Sequence, residues 1–168
     1  IMQARGLDVL SAVALGALVG PSQVGGRLFE MILGERYRPI HTLLISVVLV
    51  AVGLALLTAR HTTVAAGLVA YGAGIGIGSI ARGTLPLSIF GAEHYAIWVG
   101  RLASPALIAG AVAPVLGAVL LDWAGPAITL YVLVCLALAN VGVALVLWRV
   151  QAATTSRTCQ LPPNRLGR

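Results

Sequence analysis

Charge is what this sequence has least of. Only 10% of its residues are Asp, Glu, Lys or Arg, where a soluble domain carries about 25%. So few polar groups cannot cover a water-facing surface, and most of the outside is expected to face lipid. Lysine is missing altogether: the eleven basic residues are all arginine, set against five acids. No acid stands deep in an apolar run, so the mid-membrane carboxylate that proton-coupled carriers often use is absent. There is no HExxH, no pair of carboxylates within an apolar run and no plausible Ser/His/Asp set, which argues against an enzyme. The glycines include no GxGxxG following a strand, which argues against a phosphate cradle. Cysteine is scarce, with Cys135 in an apolar run and Cys159 near the end. The two have no metal-ligand spacing, so neither a metal nor a cofactor is expected. His41, His61 and His94 fall at the ends of apolar runs and read as interfacial polar groups. No secretory signal pattern opens the chain. It begins at Ile1 and enters an apolar run almost at once, as expected of an internal stretch of a longer protein.

What remains is apolar. Hydrophobic residues make up 59% of the chain and the mean hydropathy is +0.98. These values predict an all-α, polytopic membrane bundle with about five transmembrane helices and a membrane domain over residues 1–149. The first span runs over about 7–29, with Pro21 inside it and a kink expected there. The second, 40–59, is twenty uncharged residues, about the 30 Å needed to cross. Pro39 suits its first turn, where a missing N–H costs little. Arg60 to Thr63 make a tight turn into the third span, 64–81, which holds Gly67, Gly72, Gly74, Gly76 and Gly78. Gly72/Gly76 and Gly74/Gly78 both have the GxxxG spacing that lets membrane helices approach closely. Residues 82–95 form a mixed connection broken by Pro86 and Gly91. The fourth span, 97–121, contains Pro105 and Pro114 and is expected to be bent or locally unwound. After the turn Asp122–Pro126, the fifth span, 127–148, carries one strongly polar residue, Asn140. Residues 150–168 are polar, basic and Pro-containing, and read as a disordered cytoplasmic tail.

The arginines orient this arrangement. With the first span ending inside, Arg27, Arg36, Arg38, Arg82, Arg101, Arg149, Arg157, Arg165 and Arg168 lie on the inner side, and Arg5 and Arg60 on the outer. Such a bias places the N-terminus outside and the C-terminus in the cytoplasm. The net charge of +6 is therefore read as a membrane-orienting signal rather than a nucleic-acid footprint, and no nucleic-acid partner is expected. The Ala- and Gly-rich, all-Arg composition is that expected of a bacterial inner membrane protein.

Charge is densest between the first two spans, in GPSQVGGRLFEMILGERYRP, Gly20 to Pro39. Arg27 and Glu30 are three apart there and can pair across one helical turn. Gly26, Arg27, Leu28 and Glu30, followed by Gly34 and Arg36, resemble the G-x-L-x-D-R-x-G-R-R loop motif of the major facilitator superfamily of secondary transporters. Met31 stands where that motif has Arg and the second glycine comes one residue late, departures that suit the motif's weaker copy between helices eight and nine. A second likeness lies in the fourth span. There Ala113, Pro114 and Gly117, with Ala109 and Ala118, give a small-residue version of the family's helix-bend motif.

The resemblance implies helices eight to twelve of a transporter that moves small solutes by alternating access, coupled to a proton or ion. The partners it implies are the lipid bilayer, a small solute and the missing N-terminal half. It also implies that the loop motif acts as a cytoplasmic latch. The first, third and fourth spans would line the cavity and the second and fifth would face lipid. Ser11, Ser22, Gln23, Tyr71, Ser79 and Ser104 are then cavity candidates, with Gln23 and Tyr71 foremost. Taken singly, each reads more simply as a helix-packing hydroxyl or amide. The alternative function is a non-transporting membrane protein: a truncated product, or a module that docks a partner subunit on the third span's glycine face.

Overall fold

A computed structural model describes residues 9–33, 38–59 and 63–158. Their regular structure is helical, with no strand among the described residues. The elements are α1 (Val9–Ala17), α2 (Val19–Leu33), α3 (Pro39–Thr58) and α4 (Val64–Thr158). Three stretches are long and apolar enough to cross a membrane: Pro39–Thr58, Val64–Ile89 and Tyr95–Ala153.

The break between α1 and α2 follows from Pro21. A proline ring clashes with the carbonyl four residues back and offers no N–H to it. That carbonyl belongs to Ala17, the last residue of α1. The helix is interrupted at Leu18, and the kink therefore falls N-terminal to the proline that causes it. The ladder resumes one residue on, where Ser22 donates to the Leu18 carbonyl from its N–H at 3.2 Å and from its Oγ at 2.6 Å.

α3 starts from an extended Arg38 with Pro39 in the first turn, as the sequence predicts. It ends at Ala59, whose N–H donates to the Leu56 carbonyl. The Thr63 hydroxyl donates to the same carbonyl at 2.9 Å, tying the start of α4 to the end of α3.

α4 is not one rod. Gly91 (φ 72°, ψ 171°) and Gly125 (φ 80°, ψ 171°) leave the helical region and divide it into segments 64–90, 92–124 and 126–158. This backbone conformation is essentially confined to glycine. Gly125 also precedes Pro126, and a residue before proline is pushed to extended ψ. The helix expected to stop at Ala81 instead continues to residue 90, through Pro86. Pro105 and Pro114, where the fourth span was expected to be bent or locally unwound, keep helical dihedrals, so it is not unwound there; the breaks lie at the glycines. The tail expected to be disordered from Val150 stays helical to Thr158, and residues 159–168 lie outside the described residues.

The first segment of α4 is the centre of the bundle. Gly72 and Gly76 lie against Val19, Ser22 and Gln23 of α2. Gly67, Gly74 and Gly78 lie against Gly53, Val50 and Ser46 of α3. Each of the two GxxxG pairs thus seats a different neighbour. A Cβ on Gly53 would sit 2.6 Å from the Tyr71 nitrogen, so this is backbone-to-backbone contact. α3 also has a second buried face, where Ala51 and Leu54 pack on Leu130 and Ala137 of the last segment. One end of the bundle brings together Arg38–Ile40, Ser88–Ile89 and Leu147–Gln151. The first and last segments of α4 therefore both run antiparallel to α3, and the middle segment must run back between them.

The second and fifth spans were expected to face lipid, with the first, third and fourth around a cavity. The structure instead packs the second and fifth on each other and leaves the middle segment nearly bare. Gly100, Gly110 and Gly117 have nothing within 4 Å, and Leu107 and Val115 are largely exposed.

Candidate functional site

The loop motif is the first place where polar chemistry joins two helices. Glu30, near the end of α2, accepts a 2.7 Å hydrogen bond from the Thr42 hydroxyl in the first turns of α3. Thr42 is only 3% exposed. The carboxylate thus engages Thr42 rather than Arg27, and Arg27 and Leu28 are exposed. Gly26 is buried, where a Cβ would stand 2.5 Å from the Ala73 carbonyl oxygen. The motif therefore does two jobs in this fold: its glycine seats α2 on α4, and its acid ties α2 to α3. Gly34 and Arg36 lie outside the described residues.

The cavity candidates divide between faces. Ser22 abuts Gly72, and Gln23 abuts Gly76 through its backbone. Ser79 donates to the Gly76 carbonyl at 2.7 Å, so Gln23 and Ser79 meet the same residue. Tyr71 lies on the opposite side, against Gly53 and the α3 core. Ser104 is exposed on the middle segment and donates to its own helix at Gly100. Ser11 lies in α1, and its side chain falls outside the described residues. Ser22 and Gln23 therefore lie at the α2–α4 contact, with Ser79 one helical turn beyond Gly76, while Tyr71 and Ser104 are elsewhere. The hydroxyls of Ser22, Ser79 and Ser104 all donate to carbonyls of nearby residues, the usual way a short polar side chain is satisfied inside a helix.

Ala113 and Pro114 are exposed on the middle segment with Gly117. Near the start of that segment the Arg101 guanidinium lies 5.7 Å from the Trp98 ring centre, within cation–π range. Cys135 is a free, exposed thiol. Among the described residues no group of three or more His, Cys, Asp or Glu side chains is placed to hold a metal.

Two features escape a reading of the sequence. Ser46 is buried and donates to the Gly74 carbonyl at 2.9 Å, across to α4, in the space that Gly78 leaves by lacking a Cβ. Its signal was there: Thr42 and Ser46 are four apart, so they share one face of α3. The second is a cleft of about 440 Å³ where three helix ends meet, lined by Arg38, Ser88 and Gln151 among apolar neighbours. Its residues come from three distant stretches of chain, and nothing local marks them.

Comparison with known protein families, curated proteins and solved structures finds no match.

Proposed function

We propose that this chain is the C-terminal membrane part of a secondary active transporter of small solutes, resembling helices eight to twelve of the major facilitator superfamily. The observation that carries the reading is the Glu30–Thr42 bond beside the buried Gly26. Two residues that echo the family's loop motif hold α2 in place: Glu30 ties it to α3 and Gly26 seats it on α4. A solvated helix end with incidental charges would have no reason to bury Thr42 against Glu30.

Five spans follow when Gly91 and Gly125 are taken as turning points. The last apolar stretch, Tyr95–Ala153, would be about 90 Å long if straight, three bilayer thicknesses, so it must fold back. Arg38 and Arg149 lie at the end where the helices converge on the cleft, which supports a cytoplasmic placement of that end in a cell membrane. The bare middle segment supports an origin within a larger bundle, because apolar side chains such as Leu107, Ile108 and Val115 stay largely exposed among the described residues. The reading as a partner-docking module has less support, since Gly74 and Gly78 are already occupied by Ser46 and Val50 of the same chain.

Detection through the C-terminal end in source membranes tests this. A band near 40 kDa is expected, from twelve spans of about 20 residues with their loops. A native band at 17.2 kDa overturns the proposal.

A further inference from the structure

The cleft of about 440 Å³ is built by the start of α3, the end of the first segment of α4 and the end of its last segment. Its depth in a membrane follows from those helices. α3 has twenty residues, about 30 Å, so Arg38, immediately before it, stands where hydrocarbon gives way to headgroups. Trp148 and Arg149 come just before the lining residues Val150 and Gln151 and mark the same level, since tryptophan and arginine collect at membrane boundaries. The volume falls within the usual range of small-ligand sites.

The lining has two kinds of surface. Ile89, Leu147 and Val150 give it an apolar wall, and Arg38, Ser88 and Gln151 supply side-chain polar atoms. The Ser88 hydroxyl donates to the Leu85 carbonyl at 2.8 Å, so the side-chain donors offered to a ligand are the Arg38 guanidinium and the Gln151 amide. Arg38 is exposed. A guanidinium carries five N–H groups in a fork that suits phosphate, so a contact within the protein and one to a ligand coexist. Among the described residues, no acid lines the cleft.

We propose that this cleft holds the headgroup of an anionic phospholipid, with its phosphodiester on Arg38 and Gln151 and its first acyl carbons along Ile89 and Leu147. The charge of the lining selects that ligand. One guanidinium matches the single negative charge of a phosphodiester. A zwitterionic headgroup would bring an ammonium as well, for which the lining has no carboxylate. A soluble anion would leave the apolar wall facing water, whereas a lipid covers it with its own chain. Basic recesses between membrane helices at headgroup level suit such lipids. The inference needs only that α3 and the last segment of α4 cross a membrane, and it is independent of transport.

The test uses the whole chain in phosphatidylcholine vesicles, with Trp98→Phe and Trp123→Phe so that Trp148, beside the lining residue Leu147, is the remaining tryptophan. Lipids with brominated chains quench a tryptophan they touch. Brominated phosphatidylglycerol is expected to quench Trp148 with an apparent affinity about 5-fold above that of brominated phosphatidylcholine, the effect of one arginine at an anionic surface. Arg38→Gln should abolish that preference and Arg38→Lys should retain most of it. Ser88→Phe, which fills the cleft without changing its charge, should abolish it too. Arg149→Gln, outside the lining, should leave it in place. Inorganic phosphate, matched in ionic strength to a chloride control, should not displace the lipid. Equal quenching by the two lipids overturns the inference, as does a preference that survives Arg38→Gln. An equal loss for Arg38→Gln and Arg149→Gln also overturns it, because it assigns the preference to general surface charge. Displacement by inorganic phosphate beyond the chloride control overturns the lipid as occupant and leaves a site for a soluble anion.

Discussion

At the residue scale the fold rests on a few atoms that are missing. Gly76 brings its backbone against the Gln23 carbonyl, and Gly78 lets the Ser46 hydroxyl in. In a membrane, water does not drive helices together, so packing and hydrogen bonds at close approach hold them. Gly76→Ala should therefore destabilise by about 1–3 kcal/mol, the range for overpacking a filled site. Gly110→Ala should be neutral or stabilising, since nothing lies within 4 Å of it and alanine is the better helix former. Reversible unfolding in mixed detergent would compare the two, and equal effects would remove the packing argument. The Glu30–Thr42 bond makes a second prediction at this scale. Thr42→Val keeps the shape and removes the donor, leaving the carboxylate without that partner. A loss of about 1–3 kcal/mol is expected, with Thr42→Ser close to the parent. If Val and Ser variants unfold alike, the hydroxyl carries no weight in the junction.

At the element scale, the decisive feature is where helices stop. Prolines punctuate the sequence most visibly, yet Pro86, Pro105 and Pro114 all remain within helix. A proline removes one hydrogen bond, and a membrane helix tolerates this where other groups re-satisfy the freed carbonyl. A glycine at φ near +80° redirects the chain outright. At Gly125 a side chain would meet no neighbour within 4 Å, so a substitution there acts through the backbone alone. Gly125→Ala is expected to cost about 1–3 kcal/mol. Thermal denaturation of that variant beside Gly117→Ala, also in open space, isolates the backbone term. A Gly125→Ala protein as stable as Gly117→Ala would show that the break is not held by this residue. Pro21 was legible as a kink because its clash is local. The turns at Gly91 and Gly125 were legible only as connections, because φ is not written in the sequence.

At the scale of the whole molecule, α3 and two segments of α4 form an antiparallel trio, with α2 set on the outer face of the central helix. Thr63 and Ser88 stand at opposite ends of that central helix, about 38 Å apart along its axis. With Cys135 and Cys159 replaced by Ser, Thr63→Cys and Ser88→Cys should be labelled by an impermeant maleimide from opposite sides of the membrane, Ser88→Cys from the cytoplasmic side. Labelling of both from one side would rule out a transmembrane first segment. The all-helical class and the apolar stretches were legible because they rest on composition and run length, which are local sums. The pairing of the second with the fifth span was not. Nearly every residue of those spans is apolar, so no polar stripe distinguishes the packed face from the open one.

The sequence by itself determined that this chain is helical, that its long apolar stretches suit a membrane and that its glycines mark close helix contacts. Each of these depends on residue type and spacing over a few turns. Only the tertiary structure decided which helix each glycine meets, that Glu30 binds Thr42 rather than Arg27, and that Arg38, Ser88 and Gln151 line one cleft. Those outcomes depend on which face of one helix is turned to another, and that is set by the whole bundle at once.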